Sequence, residues 1–224
     1  MVPEPAAWDD GGMAEDPSTR SVKIGADERT GWSSERPRRD GAPARPPDIS
    51  EKCRVLRPTD RMRYSPGSIV IVAGPAAVGL DRFAERVVEE RGVVLSLAKV
   101  RALLEGRVPA EELEDKAIEL LDAAVHKRLE SRQSIVIPVE GLEPERRERF
   151  VRPAHAARRP RHLILVDGSP DQVTDEERPL LDELRRALDA GELGREGFQT
   201  AMRLSGQTRD ELKRVVFARP PADG

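Results

Sequence analysis

The stretch Ser68–Asp81, SIVIVAGPAAVGLD, decides the fold. Ser68 to Ala73 is a short apolar run rich in β-branched residues, as expected of a parallel strand covered on both faces. It runs directly into Gly74, and Gly79 follows before a helix begins near Leu80 or Asp81. A strand, a glycine-framed turn and a helix start, in that order, gather unpaired backbone N–H groups around one point and so make an anion cradle.

Loops that hold nucleotide phosphates follow G-x-x-x-x-G-K-[S/T]: the amides wrap the phosphates, the lysine reaches the outer ones and the hydroxyl binds magnesium. Gly74 and Gly79 keep that spacing, but Leu80 stands at the lysine position and Asp81 at the hydroxyl position. Leu80 removes a full positive charge. Asp81 is itself an anion at a helix N-terminus, where it can cap the helix and compete with a phosphate, although a carboxylate could also hold magnesium. The two glycines have a functional reading, as phosphate holders, and a steric one, as residues the turn needs; the steric reading is the simpler.

The 224 residues carry a net charge of −3, with 38% hydrophobic, 35% charged and only 3% aromatic residues. One globular domain plus a tail, with a core of Val, Leu, Ile and Ala, fits these values, and no overall basic field favours nucleic acid. A single cysteine, Cys53, excludes an internal disulfide framework, and no apolar run suffices for a signal peptide or membrane span. The expected location is the cytoplasm, with no membrane partner. His126, His155 and His162 have no metal-ligand spacing with one another or with Cys53, so no metal site is expected.

Residues 1–65 mix Pro, Gly, Ser and charges of both signs without a helical or strand period and read as a disordered arm, with Trp8 and Trp32 as candidate anchors for a partner. From 66 the pattern becomes regular. A helix is expected over Asp81–Arg91, a second strand over Val93–Leu97, a short helix over Ala98–Leu104 and a long one over Pro109–Arg132. Ser134–Pro138 is a third strand, Pro144 to about Arg158 an arginine-rich helix, His162–Val166 a fourth strand and Asp175–Ala190 a helix. Gln199–Leu204 reads as a fifth strand and Thr208–Arg214 as a short helix, and residues 220–224 as a disordered tail. Strands alternating with helices imply an α/β fold: a three-layer α/β/α sandwich on a mostly parallel five-stranded sheet.

With these elements placed, residues 66–219 resemble the P-loop kinase superfamily, and within it the polynucleotide-kinase-like group, an AAA-type ATP-binding set of small phosphotransferases. Four stretches carry the likeness: SIVIVAGPAAVG, VVLSLAKVRALLEG, SIVIPVEGLEPERRERF and LDELRRALDAGELGREGFQTAMRLSG. The resemblance implies a general-base aspartate after the second strand, where this chain has Ser96, Leu97 and Ala98, with the group's arginine retained as Arg101. A methyl group cannot take a proton. It implies an acid ending the third strand, where the run is Pro138, Val139, Glu140, Gly141, and a lid with phosphate-clamping arginines, where GSPDQVTDEERP carries only Arg178. Glu140, Arg101 and Arg178 are therefore the candidates for residual acid or phosphate contacts, Gly74, Gly79, Leu80 and Asp81 form a vestigial nucleotide loop, and no catalytic residue is assigned.

Phosphoryl transfer depends on positioning and charge stabilisation, and five coordinated losses leave little of either. The resulting expectation is a degenerate, pseudokinase-like binding or regulatory protein without a cofactor, acting on an unidentified protein partner, with an active relative as one form. The alternative is an ATP-dependent phosphotransferase acting on a hydroxyl of a nucleic acid or small molecule, with Asp81 or Glu140 recruited to magnesium. A third reading is a nucleic-acid module using Arg146, Arg149, Arg152, Arg158 and Arg159, against which stands the interleaving of Glu145 and Glu148 typical of a solvated helix face.

Overall fold

The computed structural model describes residues 52–90 and 92–218. The described residues open with two short strands, β1 (Arg54–Leu56) and β2 (Arg61–Tyr64), followed by β3 (Ile69–Ala73) and helix α1 (Leu80–Val87). Helices α2 (Leu97–Leu104) and α3 (Leu113–Glu130) lead to β4 (Ile135–Pro138), α4 (Pro144–Ala156) and β5 (Arg161–Val166). Last come α5 (Glu177–Asp189), β6 (Thr200–Leu204), α6 (Gln207–Glu211) and β7 (Arg214–Phe217).

Five strands form one sheet in the order β1-β6-β5-β3-β4, every pair parallel. β3, β4 and β5 are buried at every position, so their apolar runs need no alternation with polar residues. Ile69, Ile71, Ile135, Ile137, Leu163 and Leu165 face one layer, where Leu121, Val125 and Leu129 of α3, Phe150 and Val151 of α4, and Leu181, Leu184 and Leu188 of α5 cover them. Val70, Val72, Val136, Ile164 and Val166 face the other, against Leu80, Phe83, Ala84 and Val87 of α1. Each fully buried side chain of this size contributes about 1.5–3 kcal/mol, so these two faces hold the sheet. The fold is the three-layer α/β sandwich with a parallel five-stranded sheet expected from the alternation of strands and helices, with its glycine-framed loop between β3 and α1.

Three expectations need correction. The folded region begins before residue 66, because Val55 and Leu56 pair with Ala201 and Met202 along the edge of the sheet, and Met62 and Tyr64 alternate inward from β2. Residues 1–51 of the expected arm, and 219–224 at the other end, lie outside the described residues. The second strand over Val93–Leu97 shrinks to a single bridge, Val94 to Val136, flanked by Leu95 N–H donating to the Val136 carbonyl at 2.9 Å. Its physical reason is Ser96, whose hydroxyl accepts from Lys99 N–H at 3.3 Å and starts α2 at Leu97. The arginine-rich helix stops at Ala156, so Arg158 and Arg159 do not share its face. Strand β7 pairs in parallel with β2 from Arg61↔Arg214 to Tyr64↔Phe217, and this two-stranded ribbon joins α1 in the second outer layer.

Candidate functional site

In a parallel sheet the loops at the C-terminal strand ends form the natural crevice, and here those after β3, β5 and β6 surround a cavity of about 1050 Å³. The loop after β3 forms its floor. Gly74 sits where a methyl group would overlap the Val166 carbonyl oxygen at the end of β5 and crowd Leu80 Cδ2 at 3.2 Å. Gly79 adopts φ +71° and caps α1, with open space where its side chain would be. Both glycines thus have steric reasons, one from close approach and one from the left-handed backbone. Gly74→Ala is expected to cost about 1–3 kcal/mol in a urea unfolding measurement, because backbone, not a flexible side chain, must move. A neutral Gly74→Ala would remove the close-approach account.

Three of the loop amides are used within the protein. Val78 N–H donates to the Pro75 carbonyl at 3.1 Å and Gly79 N–H to the Ala76 carbonyl at 3.4 Å, closing a 3₁₀ turn over Ala76–Val78. Ala76 N–H donates to Glu177 Oε1 at 2.8 Å. Glu177 Oε2 also accepts from the backbone N–H and hydroxyl of Thr174, both at 3.1 Å. The Ala76 amide, then the Thr174 donors, hold the Glu177 carboxyl below the usual glutamate range. Leu80 is buried among Val72, Val78 and Phe83 rather than reaching over the loop. Asp81 lies in the first turn of α1 but makes no capping bond, contrary to the expectation that it could cap the helix, and its Oδ1 is buried without a hydrogen-bond partner among the described residues.

The remaining sequence candidates separate into two places. Arg101 Nη1 donates to Glu140 Oε1 and its Nε to Glu114 Oε2, both at 2.6 Å. Those hydrogen bonds, to Glu114 first and Glu140 second, raise the Arg101 pKa and leave neither Arg101 nor Glu140 available to a ligand without breaking the pair. Glu140 borders a separate apolar cleft of about 210 Å³ between Leu97, Leu121 and Phe150. Arg178 instead lines the large cavity, 3.3 Å from Asp175. Among the arginines expected for nucleic acid, Arg146 pairs with Glu143 at 3.1 Å, Arg149 with Asp122 and Arg152 with Glu148. Arg158 and Arg159 have no carboxylate within ion-pair distance among the described residues.

Several cavity residues escaped the sequence reading. Asp167, at the end of β5, is buried and held by Arg185 Nε at 3.1 Å and Arg203 Nε at 2.6 Å. An acid directly after a buried strand was the available signal. Arg82, Arg86 and Arg209 face the same cavity and pair with no carboxylate among the described residues; Arg86 Nη2 donates to the Arg209 carbonyl at 3.3 Å and Arg209 Nη2 to the Val78 carbonyl at 3.2 Å. Among the described residues no group of three or more His, Cys, Asp or Glu could hold a metal ion, and no helix is long and apolar enough to cross a membrane.

No family model matches this sequence, and no curated protein matches it either. Solved structures do match. A chain of the PezAT chromosomal toxin-antitoxin system of Streptococcus pneumoniae is 13% identical, covering 67% of this chain and 71% of that one, with a TM-score of 0.43. A candidate kinase from Chloroflexus aurantiacus is 17% identical over 62% of this chain and 84% of its own, and the tunicamycin resistance protein of Deinococcus radiodurans is 17% identical over 64% and 90%, each with a TM-score of 0.36.

Proposed function

We propose that this protein is a non-catalytic, pseudokinase-like binding or regulatory protein on a P-loop kinase-like fold, acting through a protein partner without a cofactor. One observation carries the reading: Glu177 places a carboxylate on the Ala76 amide, the position a phosphate oxygen would need, while the Val78 and Gly79 amides close on their own loop. An anion already seated there opposes a second one, since like charges in contact cost more than the amides return. Leu80, buried in the core, supplies no countercharge. Ala98 offers no proton acceptor, and Arg101 is held by two carboxylates. The residues present do not fit a triphosphate–magnesium complex. An active relative is one form the partner could take.

The second reading, an ATP-dependent phosphotransferase acting on a hydroxyl of a nucleic acid or small molecule, is favoured by the cavity of about 1050 Å³ and by Arg82, Arg86 and Arg209 within it. Of the two acids considered for magnesium, Glu140 is committed to Arg101 and Asp81 Oδ1 is not committed at all. Calorimetric titration with ATP, with and without magnesium, separates the readings. Wild type is expected to show no binding, whereas a Leu80→Lys, Asp81→Ser, Glu177→Ala triple variant gains it at micromolar to millimolar concentration. Micromolar binding of ATP–magnesium by wild type would overturn the non-catalytic reading and call for phosphate-transfer assays over hydroxyl acceptors.

A further inference from the structure

The edge of the sheet opposite the loop carries a charge arrangement that the fold does not require. Because all five strands are parallel, their N-terminal ends lie along one edge. Arg54 opens β1, Arg158 and Arg159 precede β5, and Arg132 precedes β4. From β1 to β4 the edge spans four strand spacings, ~19 Å at ~4.8 Å each. Among the described residues no carboxylate lies within ion-pair distance of Arg54, Arg132, Arg158 or Arg159. The arginines of α4 that point elsewhere are, by contrast, each matched by an acid.

Two of these arginines also occupy backbone positions that disfavour them. Arg132 at φ 55° and Arg158 at φ 54° follow the C-caps Ser131 of α3 and Ala157 of α4. That left-handed position after a helix is normally glycine or asparagine. A positive charge suits a helix C-terminus, but α3 already has Lys127 and Arg128 in its last turn, and either glycine or asparagine would end the helix at lower backbone cost. Arg159 is crowded for a different reason, its neighbours rather than its backbone. Burial, and then the nearby Arg132, lower its pKa, and its Nε donates to the Gly67 carbonyl at 2.9 Å, which fixes its direction without neutralising it. Like charges without a carboxylate partner among the described residues, set along one edge and two of them at a backbone penalty, are the arrangement of a surface completed by an anion.

We infer that Arg54, Arg132, Arg158 and Arg159 form a binding edge for the phosphodiester backbone of a single-stranded nucleic acid. The row is extended rather than convergent, which suits a chain of repeating charges better than one compact anion. Guanidinium forks match phosphate oxygens in pairs, so binding is through backbone charge and carries little base preference. The site is distinct from the crevice at the loop, and it stands whether or not that crevice binds nucleotide.

Fluorescence anisotropy with labelled 20-nucleotide DNA and RNA, using the full chain, tests this. Four phosphate contacts predict a log–log salt slope of about −3 for a single strand. Arg132→Gly with Arg158→Gly removes two charges while suiting the local backbone, so the melting temperature should hold or rise while affinity falls about tenfold and the slope drops to roughly half. An Arg146→Ala, Arg149→Ala control, taken from the paired arginines, should bind within about twofold of wild type. A preference for RNA or for DNA would identify the source of the strand. Absence of salt-dependent binding, equal binding by the glycine variant, or equally effective competition by polyglutamate would each overturn the inference, the last assigning the edge to an acidic polypeptide.

Discussion

Glu196→Ala is expected to lower stability by about 3–5 kcal/mol, the largest effect of any single polar substitution considered for this fold. Arg147, on α4, is 2% exposed and so fully withdrawn from water. Its Nε and Nη2 donate to the two Glu196 oxygens at 2.9 and 2.8 Å, and its Nη1 donates to the Leu142 carbonyl at 2.5 Å. Removing Glu196 leaves a permanent charge buried with one neutral acceptor, and the guanidinium cannot escape by losing its proton. For a folded region of this size the melting temperature should fall by roughly 10 °C. Arg147→Met with Glu196→Leu removes both charges and should recover most of the loss, because the pair's attraction and its desolvation cost nearly cancel. If Glu196→Ala melted like wild type, the pair would be shown not to be the fastening between α4 and the turn before β6.

The second large effect depends on pH. His162 is 8% exposed in β5, with Nδ1 2.8 Å from Thr200 Oγ1, Nε2 3.3 Å from Ser68 Oγ and its ring tilted 33° against that of Tyr64, with centroids 4.5 Å apart. Burial first, then the nearby Arg161 and Arg54, lower its pKa from 6.5 to about 4. The unfolded chain therefore binds a proton at this residue between about pH 6.5 and 4 while the folded chain does not. Stability from His162 is complete above pH 6.5 and is lost as pH falls, by about 3 kcal/mol at pH 4. Carboxylates elsewhere titrate in the same window, so the measure is a difference. His162→Gln, which keeps hydrogen-bonding capacity without the proton, should show a shallower loss of stability than wild type between pH 6.5 and 4. Parallel curves for the two proteins would rule out His162 as the source.

The centre of this fold was legible because β3, β4 and β5 are buried on both faces and must be written as unbroken apolar runs. Strands β1, β2 and β7 were not, since three or four half-exposed residues such as Arg61–Tyr64 carry too short a pattern to separate from a loop. Edge pairing, not composition, makes them strands. Within the crevice, the glycine spacing and the Leu80 and Asp81 substitutions could be read directly. The contact between Glu177 and Ala76 could not, because the two are 101 residues apart and meet only when α5 packs beside the loop. The pairing of Arg149 with Asp122, 27 positions earlier, was hidden for the same reason, and a helix rich in arginine looked more basic than its surroundings make it.

The ribbon formed by β2 and β7 also sets the timing of assembly. Residues 61–64 meet 214–217, and β1 meets β6 at positions 200–202, so both early strands wait for partners made about 150 residues later. Such contacts raise the mean sequence separation of the native structure and slow its formation. During translation β3, β4 and β5 can come together while β1 and β2 still lack partners, exposing strand edges until β6 and β7 leave the ribosome. The closing of this ribbon is thus a late, cooperative step, and the interval before it is when the chain is most open to aggregation or to a chaperone.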